Sequence, residues 1–141
     1  MTDWLDHAAR MMGQTPFLAG LGGEMLEVSA ARARTRVPYG PHLVGDPDTG
    51  VVHGGVITGL LDHTGGMAVM GVLREPVPIA TLDLRIDYMK PATPGLAILA
   101  EVRCLKVTHE IAFVRGAAFH TDADDAIALC TGAFMLIRGA R

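Results

Sequence analysis

Two groups that could catalyse hydrolysis lie near the middle of the sequence. Gly54 and Gly55 follow His53 at the predicted start of a long apolar helix, and Asp62 lies inside that helix. The first backbone N–H groups of a helix have no partner within it, and glycines let a ligand approach them closely. The helix dipole adds partial positive charge at the same end. The two glycines therefore predict an oxyanion hole, which would stabilise negative charge on a reacting carbonyl oxygen.

Asp62 is an acid in an otherwise apolar segment. A carboxylate in such surroundings is unfavourable unless it is paired, hydrated or reactive. Two interpretations are open from the residue alone. Asp62 is either a catalytic acid–base group or a structural acid that caps or bridges a neighbouring element.

The spacing of these groups predicts how they would work together. Asp62 follows Gly54 by eight positions, which is about 12 Å along a straight helix. A base and an oxyanion hole must both lie within about 3 Å of one reacting carbonyl and its water. One chain cannot place both groups there. If both are used, they come from different subunits, so the sequence predicts an active site shared across a two-fold interface.

The elements that must hold these groups follow from the hydrophobic pattern. Apolar residues at helical spacing predict a helix over residues 3–12, and Thr15 with Pro16 predicts a short turn through Gly20. Residues 53–73 are apolar nearly all round, which predicts one long buried helix. Alternation, or apolar runs between turn residues, predicts strands over 24–29, 32–37, 79–89, 96–107, 111–121 and 126–138.

Three details of these elements carry expectations about packing. Alternation over 79–89 places the even-numbered residues from Ala80 to Tyr88 on one face and Thr81 on the other. The last two strands carry apolar residues on both faces, which predicts that both faces are covered. An interior helix glycine costs about 1 kcal/mol relative to Ala, so four of them predict the close approach of another backbone or a ligand. These glycines are Gly59, Gly65, Gly66 and Gly71. The weaker alternative is that the helix ends near Gly65 and Gly66.

The order of elements predicts an α+β fold. An antiparallel β-sheet wrapped around one long central helix is the economical way to bury that helix. The length of 141 residues predicts one domain over residues 1–141, with an N-terminal helical segment over 1–23.

Composition argues against several classes of protein. Half of the residues are apolar and 19% are charged, unlike a disordered chain. The net charge of −3 and isoelectric point near 6.0 argue against a nucleic-acid partner. The charge-free runs are shorter than the ~20 residues of a membrane span, so no membrane association is expected.

Three further expectations concern location and metal binding. The N-terminal acids Asp3 and Asp6 argue against a signal peptide. Cys104 and Cys130 lie in apolar stretches, as expected of core residues in a reducing cytoplasm. The histidines are scattered without the close spacing of a zinc site, so no metal is expected.

A longer set of motifs resembles a known family. The segments are His53-Gly54-Gly55, Leu60-Leu61-Asp62, Thr81-Leu82-Asp83-Leu84 and Tyr88-Met89-Lys90-Pro91-Ala92. In this order they resemble the PaaI-type acyl-CoA thioesterases of the hotdog-fold superfamily, over about residues 38–138. The resemblance implies a sheet wrapped around a central helix, dimers often paired into tetramers, and no cofactor.

The resemblance also implies roles for individual residues. Gly54 matches the N–H of the oxyanion hole, with Gly55 beside it. Asp62 matches the catalytic carboxylate, acting as general base on water or as nucleophile, and Thr81 matches a hydroxyl residue that helps hold the water. His53 would orient the loop or the thioester carbonyl.

One position departs from the family pattern. Many members have an Asn six residues before the motif His, contacting substrate or water, whereas this chain has Pro47 there. Asp46 is one residue earlier and is the candidate for that substrate-binding position. An acid cannot donate a hydrogen bond as an amide does, so the role would change.

The predicted function is hydrolysis of a small or medium acyl-CoA thioester, aliphatic or aryl, by Asp62-assisted attack of water. A second hypothesis is a non-catalytic domain that binds and senses acyl-CoA. A third is a hotdog dehydratase or hydratase, which the register between Gly54 and Asp62 matches less well.

Overall fold

A computed structural model describes residues 2–139 as a six-stranded antiparallel sheet packed around one long helix. The helices are α1 (Thr2–Gly13), α2 (Pro16–Gly20) and α3 (Gly54–Leu73), with a 3-10 turn at Pro41–Leu43. The strands are β1 (Glu24–Val28), β2 (Arg32–Val37), β3 (Val44–Asp46), β4 (Val51–Val52), β5 (Ile79–Tyr88), β6 (Ile98–Val107), β7 (Ile111–Phe119) and β8 (Ala128–Leu136). The predicted elements are therefore present, with ends that differ by one or two residues. The short β3–β4 hairpin is the element that the sequence pattern missed.

The six-stranded sheet has the order β1-β2-β6-β7-β8-β5, and β3 pairs with β4 separately. Every pairing is antiparallel. Within residues 2–139, β5 pairs only with β8, so one side of this ten-residue strand is an open sheet edge. This edge strand carries Thr81.

α3 lies on the sheet and forms the centre of the core. Leu60, Leu61 and Met67 are fully buried, as the apolar pattern predicted. The two buried polar side chains on this interface, Thr35 of β2 and Thr64 of α3, share a hydrogen bond of 2.7 Å. By length and composition α3 could also cross a bilayer, but 67% of its apolar window is buried against the rest of the chain. That burial is typical of a core helix.

The helix glycines meet neighbours from the same chain. A Cβ at Gly71 would collide with the backbone carbonyl of Ser29, and one at Gly65 would lie 3.2 Å from the Phe134 ring. A Cβ at Gly59 would lie 2.5 Å from Phe17. The predicted approach of another backbone is confirmed at Gly71, whereas Gly59 and Gly65 meet aromatic side chains and Gly66 has only ordinary contacts.

The predicted alternation along β5 is wrong at one point. Thr81 pairs with Phe134 and Asp83 pairs with Ala133, so Leu82 is the extra residue of a β-bulge. A bulge reverses the alternation beyond it. Ile79 and Thr81 therefore share the helix-facing side with Leu84, instead of lying opposite to it.

The predicted covering of β7 and β8 is also wrong within residues 2–139. Their helix-facing side is buried, but Phe113, Leu129 and Met135 on the outer side are each more than 40% exposed. The apolar residues on the outer face of β7 and β8 are therefore not covered by other described residues of the same chain.

The N-terminal segment packs against the body of the fold. The Trp4 Nε1–H donates to the Met70 carbonyl of α3 at 2.9 Å, and Ala8 is fully buried. Thr15 caps α2 by accepting from the Leu18 N–H, and Pro16 follows at the first helical position. These contacts hold the α1–α2 connection beside α3.

Candidate active site

Asp62 and Thr81 form a hydrogen-bonded pair at the mouth of a cleft. The Thr81 hydroxyl donates to Asp62 Oδ1 at 2.7 Å. Both residues line a cavity of about 300 Å³ between α3, β5, β8 and the helices α1 and α2. Because Oδ1 is occupied by Thr81, Oδ2 is left to bind a water or a ligand in the cleft.

The β-bulge at Leu82 accounts for this pair. With regular alternation, Thr81 would point to the outer face together with Arg85 and Asp87. The bulge turns Thr81 toward α3 while Leu84 and Ile86 still pack on the core. Bulges often re-aim one side chain beside a functional site in this way.

The start of α3 is organised by His53. Its Nδ1 accepts from the Gly55 N–H at 2.8 Å, which assigns the ring proton of the neutral side chain to Nε2. A Cβ at Gly55 would lie 2.9 Å from that Nδ1, so any other residue here would displace the capping ring. The Gly55 N–H is thus already engaged, which sequence reasoning did not anticipate.

The Gly54 N–H is the free amide of this turn. It has no hydrogen-bond partner among the residues that the structure describes, and Gly54 is exposed. A Cβ at position 54 would lie 3.6 Å or more from the nearest side chain, that of Tyr88. The fold itself therefore has room for a side chain at position 54, and the space beside the amide is open to a ligand.

Tyr88 and Thr58 support the same turn and were missed by the sequence reasoning. The Tyr88 hydroxyl donates to the Gly54 carbonyl at 2.9 Å and is hydrogen-bonded to the Thr58 hydroxyl. The Tyr-Met-Lys-Pro-Ala motif pointed to this tyrosine, but only the fold brings the end of β5 to the start of α3.

Asp46 has partners within its own turn. Its Oδ1 accepts from the Asp48 N–H at 3.0 Å and its Oδ2 from the Thr49 hydroxyl at 2.8 Å. These bonds, that from Thr49 above all, lower the pKa of Asp46. Both carboxylate oxygens serve the β3–β4 turn, and contact of Asp46 with a substrate stays a prediction.

His63 also lies in the cleft, although it follows Asp62 directly on α3 and adjacent helix positions point about 100° apart. It lines the cavity with Asp62, and its ring is 6.4 Å from that of Phe17. Burial lowers the pKa of His63. A hydrogen bond to the Met12 backbone and the negative charge of Asp62 act in the opposite direction and raise it. The cleft covers a wide arc of α3, so neighbouring helix positions both reach it.

The predicted site residues therefore fall into two groups. Asp62 and Thr81 lie together in the cleft, whereas His53, Gly54 and Gly55 lie at the start of α3. α3 is continuous from Gly54 to Leu73, so the two groups are about 12 Å apart along its axis. Over residues 2–139 there is also no cluster of three His, Cys, Asp or Glu side chains suited to a metal ion.

Comparison with known proteins identifies similar chains. The thioesterase superfamily model matches residues 49–127. A Halobacterium salinarum protein named as an esterase is 39% identical over 60% of this chain, and the match spans only 58% of that protein's length. A Salmonella typhimurium protein, the medium/long-chain acyl-CoA thioesterase YigI, is 27% identical over 93% of this chain and 95% of its own.

A solved structure is also similar. The structure of a Pseudomonas aeruginosa protein has a TM-score of 0.84 at 37% identity. The similarity covers 95% of this chain and 99% of that one. Nearly the whole fold therefore has a counterpart in that protein.

Proposed function

Because this chain belongs to the thioesterase superfamily and is a thioester hydrolase with the hotdog fold, as its motifs predicted, we propose that its substrate is an acyl-CoA. The acyl group is small or medium, aliphatic or aryl. The Asp62–Thr81 hydrogen bond at the cleft is the observation that carries this proposal. The YigI relative, which bears the name of an acyl-CoA thioesterase, supports the substrate class.

Asp62 acts as the general base in this mechanism. Thr81 holds Oδ1, and Oδ2 accepts the proton of a water that attacks the thioester carbonyl carbon. A C–O bond forms and the carbonyl oxygen becomes an oxyanion. When this intermediate collapses, the C–S bond breaks, the CoA thiolate leaves, and the proton passes from Asp62 to sulfur. The products are a carboxylic acid and free CoA.

The oxyanion hole comes from a second copy of the chain. Gly54 and Asp62 of one chain are too far apart to act on one carbonyl, so the partner subunit's Gly54 provides the N–H. His53 supports this role by engaging Gly55 and leaving the Gly54 amide free, and its Nε2–H remains available to the thioester. Gly55 contributes through its small size rather than as a second donor.

The open edge of β5 supports such a dimer. An unpaired strand presents backbone N–H and C=O groups that a second copy can pair with. β5 also carries Thr81 near one end and Tyr88 at the other. Pairing along this edge would therefore bring the Asp62–Thr81 end of one copy towards the Gly54 end of the next. A dimer, or a dimer of dimers, is the expected assembly, in the cytoplasm.

The test is release of free CoA thiol from a panel of aliphatic and aryl acyl-CoA esters. Asp62→Asn removes the base, and we expect it to lower kcat at least a hundredfold while acyl-CoA still binds. Asp83→Asn is the matched control, because Asp83 is an exposed acid on β5, the strand that carries Thr81, and its side chain has no hydrogen-bond partner among the described residues.

Two results would contradict the proposal. Near-parental kcat in Asp62→Asn would remove Asp62 from the mechanism. Saturable binding of acyl-CoA without thiol release by the parent protein would instead identify a sensing domain.

A further inference from the structure

The cleft beside Asp62 has an apolar part that the proposed chemistry does not use. Six apolar or glycine residues line it, from α1, α2, α3 and two strands. These residues are Met12, Phe17, Gly59, Gly66, Ile79 and Phe134. A thioester with its carbonyl at Asp62 has one polar arm, the CoA, and one arm that is an acyl chain. Only the acyl chain gains by leaving water for such a lining.

Phe17 forms the outer wall of this apolar part. Its ring lies directly over Gly59, where a Cβ would be 2.5 Å from the ring tip, and it is still 52% exposed. Half of this large apolar side chain therefore has no cover in the described chain. Phe17 and Met12 precede the family-matched segment 49–127, so this wall comes from outside the part of the chain that carries the catalytic motifs.

Gly66 forms the inner end of the same space. It lies one helical turn beyond Asp62 on α3. A Cβ there would meet Ile79 at 3.4 Å and Phe134 at 3.8 Å, which are ordinary contact distances. The fold therefore has room for an alanine at position 66. With glycine there, the space that the methyl group would fill is part of the cleft.

We propose that Phe17 and Gly66 set the acyl-chain length of the substrate, with Phe17 closing the outer end of the acyl site and Gly66 opening its inner end. This inference rests on the proposed function and names the substrate group that the site selects. The two positions act in opposite directions, because removal of the Phe17 ring enlarges the site and addition of a methyl at position 66 reduces it.

The test measures kcat/KM for a homologous series of straight-chain acyl-CoA esters. Phe17→Ala should move the optimum to longer chains, and Gly66→Ala to shorter ones. The ratio of long-chain to short-chain kcat/KM should change by roughly tenfold or more per methylene gained or lost. Phe113→Ala, on the exposed outer face of β7, and Gly20→Ala, with no atom within 4 Å of its Cβ, are the matched controls.

The outcomes separate this inference from the proposed function. The inference would be overturned if the optimal acyl-chain length were unchanged in both variants or shifted in the same direction in both. Thiol release by the parent protein would still uphold the proposed function in that case. If Phe17→Ala folds poorly, Phe17→Trp gives the opposite test, with a shift to shorter chains. A parent protein that releases no thiol from any chain length would overturn the proposed function, and this inference with it.

Discussion

The hydroxyl of Thr81 prepares one carboxylate for chemistry by holding one of its two oxygens. A carboxylate fixed in this way presents its other oxygen in a defined direction, which a freely rotating side chain does not. His53 acts similarly on the backbone, because its Nδ1 takes the Gly55 N–H and leaves the Gly54 N–H unpaired. Thr81 therefore leaves Oδ2 of Asp62 free by occupying Oδ1, and His53 leaves the Gly54 N–H free by accepting from the Gly55 N–H.

Thr81→Val tests this role, since valine keeps the shape and removes the hydroxyl. A hydrogen bond to a charged group is worth about 1.5–3 kcal/mol, so we expect kcat to fall about 10- to 100-fold. Thr81→Ser keeps the hydroxyl and should retain most of the activity. Steady-state kinetics of thiol release measure both variants, and parental kcat in Thr81→Val would show that the hydroxyl does not position Asp62.

Individual elements owe their placement to positions where the regular pattern is broken. The bulge at Leu82 lets β5 face the core with Leu84 and still present Thr81 to α3. The glycines of α3 let other parts of the chain lie against the helix. Gly71 receives the Ser29 carbonyl of the β1–β2 turn, and Gly59 receives Phe17.

Gly71→Ala tests the importance of the closest of these approaches. Alanine favours a helix over glycine by about 1 kcal/mol, but here its Cβ would collide with a backbone carbonyl that cannot rotate away. We expect a net loss of about 1–3 kcal/mol in the free energy of unfolding. Urea denaturation measures it, with Gly20→Ala as the unhindered control. Parental or higher stability would mean that the β1–β2 turn moves freely.

The whole molecule is expected to work as a pair of chains, because α3 separates its two sets of catalytic groups by about 12 Å. Asp62 and Thr81 of one copy then meet the partner subunit's Gly54. A single protein chain would hold two half-sites and no complete one.

Mixing two inactive variants tests this arrangement. Asp62→Asn removes the base, and Gly54→Val blocks the approach to the amide, so neither homodimer should be active. Co-expression in equal amounts should restore about a quarter of the parental activity. Half of the dimers are then mixed, and each mixed dimer has one intact site out of two. The assay is thiol release per chain in the whole co-expressed population, and failure to recover activity would contradict the shared site.

Local sequence patterns were enough to predict the helices and the strands of the six-stranded sheet, and the motifs indicated the family. The strand Arg32–Val37 and the end of α3 at Leu73 agree with prediction to the residue. The prediction of buried free cysteines is confirmed for Cys104 and Cys130, and burial raises the pKa of Cys130 to about 11. Periodicity and helix end signals depend on neighbours within one or two turns of chain, which is why the sequence alone was enough to predict the elements that carry them.

The tertiary structure decided which of these elements meet at the site. The bulge at Leu82 is defined only by the register between β5 and β8, because an extra residue is invisible until its partner strand is in place. Phe17 and His63 enter the cleft only because α1 packs on α3 and carries α2 over Gly59. Such contacts join residues that are distant along the chain, so no local pattern contains them. The sequence was enough to select Asp62 and Gly54 as candidate catalytic groups, and the tertiary packing determines which residues surround each of them.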